Sequence, residues 1–347
     1  MDDWPSVTIV FVVYNRRDAL RTSLHHMREG SDYKRDRVEI IVVDNASVDG
    51  AAAMVRDEFP EVRLIVREEN IGASAWNDGF AIAQGDFILV LDDDCYLPPD
   101  GLGRAVTAAA ERSADLVSFS VASTVEPAFR FTDEYRTGLF SFWGCAWLVR
   151  TPVIQGLRGY DPEIFIWANE VEFMLRFFDD GFRHLHLPEV VAQHMKPPGK
   201  WLDERPYRIG AKNLSYVAAK LLRPRDAGEA LAALLVRAVR DGLRVDRAAF
   251  KALPDILRGF LHGLRYRQPV ANPRLSRFYR HNFEHFASPW WLSRSPVELI
   301  RALPRELLAD RGRTRGVGRH EEFYTPRAAF YPGDQPQTLA FAPDPIA

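Results

Sequence analysis

The chain has 347 residues, 47% hydrophobic and 27% charged, so it can bury a sizeable core as one large or two ordinary domains, and wholesale disorder is excluded. Its formal net charge of -2 is unevenly spread. Residues 1–198 carry about 19 Lys/Arg against 32 Asp/Glu, and residues 199–330 about 26 against 13. Cys95 and Cys145, the only two cysteines, exclude a disulfide framework and a zinc spacing. No apolar run approaches the roughly 18–20 residues of a membrane span. The opening "MDDWPS" is acidic where a secretory leader would be basic, which predicts a cytoplasmic chain. The basic second half suits a phosphorylated substrate, the acidic half itself, or the inner face of a membrane held peripherally.

In chain order, "SVTIVFVV" (6–13) predicts a buried strand and "RDALRTSLHHMRE" (17–29) a helix. "VEIIVVD" (38–44), "VRLIV" (62–66), "DFILVL" (86–91) and "DLVSFS" (115–120) predict further strands. "DGAAAMVRDEF" (49–59), "ASAWNDGFAIA" (73–83) and "PDGLGRAVTAAAER" (99–112) predict the helices between them. Continuous apolar strands alternating with helices imply an α/β fold: a mostly parallel sheet with helices on both faces. Ligands bind at the carboxyl ends of such strands. Asp44 and Asp92 each end a strand and are expected beside one crevice.

From 121 to 200 the pattern is less regular. "GLFSFWGCAWLVR" (138–150) reads as strand, and "NEVEFMLRFFDDG" (169–181) as a helix with Asn169 as N-cap and Gly181 as its stop. Beyond 205 helices are expected at about 207–222, 226–244, 247–266 and 295–309. Ala230, Leu231, Leu234, Leu235 and Ala238 make one stripe of the second. The tail from 312, rich in Arg, Gly and Pro, predicts irregular structure.

Three adjacent carboxylates, Asp92, Asp93 and Asp94, follow the apolar run Phe87 to Leu91. A hard cation such as Mg²⁺ or Mn²⁺ would relieve their repulsion. Alternate residues at a strand end point the same way, so Asp92 and Asp94 can share one ion while Asp93 points elsewhere. The competing reading is a solvated acidic turn.

"TIVFVVYNRRDAL", "EIIVVDNASVDG", "NIGASAWNDGFAIAQGDFILVLDDD" and "NEVEF…R" occur in this order. Together, over residues 6–200, they resemble the family 2 glycosyltransferases of the GT-A fold. The resemblance implies a catalytic domain at 1–204, with a nucleotide-sugar half (1–120) and an acceptor half (121–204), then a helical region (205–311) and an irregular tail (312–347). It implies that Asp44 accepts from the uracil or thymine ring. Tyr14 and Asn15 belong to the loop over the base. Asn70, Gly72 and Asn77 lie near the nucleotide and diphosphate, where a helix starting near Gly72 would offer N–H groups. Asp92 and Asp94 match the D-x-D motif, which implies that Asp94 binds the metal and Asp92 the metal or the ribose, with Asp93 near the nucleotide. His194 completes the metal site, an ordinary ligand for Mn²⁺ and less so for Mg²⁺.

Transfer with inversion needs one carboxylate to take the acceptor hydroxyl's proton. The family's E-D-x-D/E segment aligns with "NEVEF", which makes Glu170 the base. Asn169 stands where an acid is usual, and Glu170 where Asp is commoner. With Asn169 as N-cap, Glu172 falls at the capping-box position, a structural role, with acceptor binding as the alternative. Trp143, Tyr160, Phe165 and Trp167 either stack on the acceptor or pack the core. Gly144 and Arg150 match positions lining the acceptor side. "FIWANEVEF" is similar to the rhamnosyl- and galactofuranosyltransferase branches.

In "FKALPDILRGFLHGLRYRQPV" (250–270), Phe250, Leu253, Leu257, Phe260, Leu261 and Leu264 form an apolar stripe flanked by Lys251, Arg258, Arg265 and Arg267. It either packs on the protein or lies in a membrane interface. The implied reaction moves a sugar from a UDP- or dTDP-sugar to a glycan, lipid-linked saccharide or small molecule, with no nucleic-acid partner. Two other classes compete. A nucleotidyltransferase would carry a Gly-rich loop after the first strand, and "VVYNRRDAL" has none. A non-catalytic nucleotide-sugar-binding protein is favoured by Asn169 and opposed by Asp92, Asp94 and Glu170. The transferase reading requires Asp92, Asp94, Glu170 and His194 to converge on one cleft.

Overall fold

The structure is a computed structural model describing residues 4–127, 142–196, 204–244, 247–287 and 338–339. The predicted helix 295–309, most of the tail and the start of the 138–150 strand lie outside these residues. The chain divides into two compact units, one of residues 1–177 and 182–199, the other of 178–181 and 200–347.

Eight strands build the sheet of the first unit: β1 (Val7–Val13), β2 (Val38–Asp44), β3 (Arg63–Val66), β4 (Phe87–Asp92), β5 (Cys95–Tyr96), β6 (Leu116–Ser123), β7 (Ala146–Arg150) and β8 (His184–His194). Their spatial order is β3-β2-β1-β4-β7-β6-β8-β5. All seven residues of β1 are buried, as its β-branched run requires of a strand covered on both faces. The β1–β2, β1–β4, β2–β3 and β6–β8 pairs are parallel. β7 runs antiparallel to both β4 and β6. The helices of this unit are α1 (Arg17–Glu29), α2 (Ala51–Glu58), α3 (Trp76–Ile82), α4 (Gly101–Glu111), α5 (Thr151–Gly156) and α6 (Asn169–Asp179). They are amphipathic where long enough to judge: α1 buries Leu20, Ser23, Leu24 and Met27. The fold is mixed α/β with most of its sheet parallel, as expected.

The second unit holds α7 (Glu204–Leu221), α8 (Pro224–Arg244), α9 (Ala252–Arg265) and α10 (Pro273–Ala287). On α8, Ala230, Leu234 and Ala238 are buried as expected. On α9 the packed face is not the leucine stripe. Its buried face is Ala252, Asp255, Ile256, Gly259 and Gly263, and the leucine stripe points outward. The cause is close helix contact. A Cβ on Gly259 would collide with Lys212 O, and one on Gly263 with Tyr216 O, both on α7. Ser215 Oγ on α7 also donates to Ile256 O at 2.7 Å. α10 was not foreseen, although Asn272 caps it: its Oδ1 accepts from the N–H of Arg274 at 2.9 Å. Among the described residues no helix is long and apolar enough to cross a membrane.

Candidate active site

Strand register brings the first carboxylates together. Asp44 lies opposite Val13 on one side of β1, and Asp92 opposite Val12 on the other. Asp44 is buried, and one of its oxygens accepts the Ser47 N–H at 2.8 Å, which tightens the turn after β2. Asn15 sits beside that turn in the left-handed region (φ 54°), a conformation Asn tolerates. Its N–H donates to Ser47 Oγ at 3.0 Å and its Oδ1 accepts from Val48 N–H at 2.8 Å. Asn15 thus shapes the rim, while the Tyr14 ring beside it is exposed.

The aspartates divide as alternation predicts. Single ligand atoms from Asp92, Asp94 and His194 lie within 4.8 Å of one another. Asp93 turns toward Arg16 Nη1 at 3.4 Å, and Ser23 Oγ donates to its carbonyl at 2.9 Å. His194 is the last residue of β8. The antiparallel β5–β8 pair sets Cys95 opposite His194, so the imidazole falls beside Asp94, with Nε2 to Oδ1 at 3.0 Å. The other oxygen of Asp94 takes the Arg16 guanidinium. Arg16 was missed in the sequence because one of two adjacent arginines in a loop carries no periodic signal.

The charges are opposed in a way a cation would resolve. Burial, and then the charge of Asp94, push the Asp92 carboxyl above its ordinary range. Burial and Asp94 push Asp93 well above it. Burial would raise Asp94 too, but the His194 bond with the His194, Arg16 and Lys196 charges outweighs it and holds the carboxyl low. Two carboxylate oxygens and an imidazole nitrogen fit a divalent transition ion such as Mn²⁺.

Glu170 is the second residue of α6, which starts directly after two residues in the left-handed region, Trp167 (φ 62°) and Ala168 (φ 68°). That strained approach aims the first turn. A Cβ on Gly144 would overlap the Glu170 carboxylate, so any side chain there has to displace that carboxylate. One residue on, Cys145 O accepts the Asp92 N–H at 2.9 Å. Glu170 is therefore close to the end of β4. Burial first, and the Asp92 charge with it, push the Glu170 carboxyl up to about 7. All four expected residues thus gather at one end of the sheet.

Other expectations are corrected. Asn169 is the first residue of α6 rather than its N-cap, and its Nδ2 donates back to Ile164 O at 2.9 Å. Glu172 is fully buried and does not face an acceptor. It holds Arg176, with Nη2 to Oε2 at 2.7 Å and Nε to Oε1 at 3.0 Å. Arg176 in turn ties down Gly159 O at 2.7 Å. Glu172→Ala is expected to destabilise the fold by about 3–5 kcal/mol, the cost of leaving one partner of a buried pair alone. A urea titration checks it.

Asn77 commits both ends of its amide to the main chain of Tyr160, each bond 2.8 Å, and holds the domain rather than a nucleotide. Asn70 Oδ1 accepts from Gly72 N–H and from Asn45 Nδ2, both at 2.9 Å. The Ala73 N–H goes to Phe165 O at 2.8 Å, so the amides near Gly72 are consumed inside the protein. Buried Asn45, another residue missed in the sequence, is the hub of this turn, since its Oδ1 also accepts from Ile71 N–H at 3.0 Å. Tyr160 belongs to a buried aromatic cluster with Trp147 and Phe173, whereas Phe165 is exposed and Trp143 and Trp167 are half-buried.

Residues 8–165 match the family described as Glycosyl transferase family 2. Over 221 residues the chain is 25% identical to the glycosyltransferase AglE of Haloferax volcanii, covering 59% of this chain and 72% of that one. It is 36% identical over 110 residues to the succinoglycan biosynthesis protein ExoO of Rhizobium meliloti, 30% of either chain. Apart from AglE, the first few relatives are matched over only 30–38% of their length. The fold is similar to residues 1–349 of S. aureus TarS (TM-score 0.55, 16% identity, 81% of this chain and 89% of that one). It is also similar to the mannosyltransferase PcManGT of Pyrobaculum calidifontis in complex with GDP-Man and Mn²⁺ (TM-score 0.50, 22% identity, 90% and 80%).

Proposed function

Because residues 8–165 match glycosyl transferase family 2, we propose that the chain is a glycosyltransferase that moves a sugar, with inversion and with a divalent metal, from a UDP- or dTDP-sugar to a hydroxyl of a glycan, a lipid-linked saccharide or a small molecule. The observation that carries this reading is the gathering of Asp92, Asp94 and His194 beside Glu170 and the buried Asp44. TarS has been captured with UDP-GlcNAc, and relatives named undecaprenyl-phosphate 4-deoxy-4-formamido-L-arabinose transferases support a lipid-linked acceptor.

In this reading Asp44 accepts the ring N–H of the base, and Tyr14 lies over it on the rim that Asn15 shapes. Asp92, Asp94 and His194 would hold the cation, Mn²⁺ suiting the imidazole better than Mg²⁺. When bound, it neutralises charge on the departing diphosphate as a Lewis acid. Glu170 takes the proton of the acceptor hydroxyl as that oxygen bonds to C1 of the sugar. The C1–O bond to the diphosphate breaks on the opposite face, which inverts the anomeric centre. A carboxyl poised near 7 is a competent base at neutral pH. Trp143, Gly144, Phe165 and Trp167 line the acceptor side, and the longer Glu170 reaches its proton in place of the commoner Asp.

Gly144→Ala is expected to displace the Glu170 carboxylate and lower turnover by about 10²-fold, the cost of an ångström of misplacement. Nucleotide affinity should not move, which calorimetry checks. The reaction itself is tested by incubating the protein with Mn²⁺ and a panel of UDP-, dTDP- and GDP-sugars. Rhamnose and galactofuranose donors lead the panel because of "FIWANEVEF". Release of a nucleoside diphosphate from one donor, stopped by chelator, supports the reading. The product's anomeric configuration by NMR decides inversion.

A further inference from the structure

Among the described residues of the helical unit, an apolar face is left uncovered. α9 spends its small residues on contact with α7, where Gly259 and Gly263 admit no side chain. Its larger residues therefore face out: Leu257, Leu261 and Leu264 are 46%, 64% and 42% exposed. Leu253 and Phe260 are half-buried beside them. Spaced at i, i+4 and i+7, the three leucines form one stripe along the helix. Lys251, Arg258 and Arg265, seven residues apart and all exposed, form a second row beside it. The acid α9 carries, Asp255, is buried and bonded to Arg208 at 2.7 Å, and Arg258 reaches it at 3.2 Å while staying largely in solvent. α8 repeats the arrangement. Val236, Val239 and Leu243 are exposed at i, i+3 and i+7, with Arg240 and Arg244 next to them.

An exposed apolar stripe of this length has an occupant to satisfy. The cation row selects among occupants. Lysine and arginine flanking leucine on one helix face complement acidic headgroups above an acyl layer. We propose that α9 lies in the interface of an anionic bilayer, leucines toward the acyl chains and the Lys251–Arg258–Arg265 row among the headgroups. The inference goes beyond the transfer reaction and does not depend on it.

The test uses the full chain and two vesicle preparations, phosphatidylcholine alone and phosphatidylcholine with one third phosphatidylglycerol. Co-sedimentation is expected with the anionic vesicles only, and to weaken in high salt. Leu257→Ser with Leu261→Ser should reduce the bound fraction at least about tenfold, since two inserting side chains are lost. An unchanged melting temperature shows that this variant is folded. A second readout needs no disruptive change. Cys95 and Cys145 are buried, so an environment-sensitive fluorophore on Leu261→Cys labels the stripe selectively. Its emission should rise and shift to the blue with anionic vesicles. Absence of vesicle binding, undiminished binding by the serine variant, or a fluorophore blind to bound vesicles would each overturn the proposal. So would self-association, abolished by the same serines, in a chain that ignores lipid.

Discussion

Glu170→Gln is expected to lower sugar transfer by about 10²–10⁴-fold, the usual worth of a positioned base, while nucleotide and metal binding stay as in wild type. The amide keeps the shape and the contact with Gly144 but cannot accept a proton. The same carboxyl sets the pH dependence. It is pushed up to about 7, chiefly by burial, so the competent ionised form dominates only above that pH. kcat is expected to rise about tenfold per pH unit below 7 and to level off above it.

Stability runs the opposite way. An unfolded glutamate titrates near about 4.3, so between there and 7 the folded chain holds the proton more tightly. The wild type therefore loses stability as pH rises through that window. Glu170→Gln has no proton to lose. Its Tm relative to wild type should climb between pH 5 and pH 8, which scanning calorimetry reads.

Asp94→Asn is expected to abolish Mn²⁺ binding and, with it, turnover. Losing even an outer-shell partner costs a metal site about 10–100-fold, so loss of a direct carboxylate ligand should exceed that. Asp92→Asn should behave alike, because its oxygen belongs to the same cluster. Asp93→Asn is the informative control. Asp93 faces Arg16 and contributes no atom to the Asp92, Asp94 and His194 cluster, so removing its carboxylate should leave Mn²⁺ affinity within a few-fold of wild type. Mn²⁺ titrations followed by electron paramagnetic resonance separate the three.

The parts of the site legible in the sequence are those set by local pattern. Asp44 and Asp92 each end an apolar run, and two such parallel neighbours of one strand must bring their last residues together. The division of Asp92 and Asp94 from Asp93 matches the alternation expected at a strand end, although Asp93 and Asp94 form the two-residue turn between β4 and β5. What could not be read depends on partners distant in the chain. Asn77 finds Tyr160, 83 residues away, and no spacing announces it. The direction of β7 is silent because an apolar run reads the same both ways. The His194 contact with Asp94 exists because Cys95 pairs with a strand that begins 89 residues later. In α9 the leucine pattern left packing and a membrane interface both open, and the two glycines decide which face is packed by admitting another helix backbone. A moment calculated from hydrophobicity does not see that a missing side chain is itself a contact.

The central claim is that one cleft binds a nucleotide through a metal held by Asp94 and reacts through Glu170. The most direct measurement is calorimetric titration of UDP and dTDP into wild type, Glu170→Gln and Asp94→Asn, with and without Mn²⁺, beside turnover of the preferred donor. The account predicts metal-dependent binding in wild type and Glu170→Gln, its loss in Asp94→Asn, and turnover in wild type alone. Binding indifferent to Mn²⁺ and to Asp94, or a Glu170→Gln protein that turns over at the wild-type rate, would contradict it.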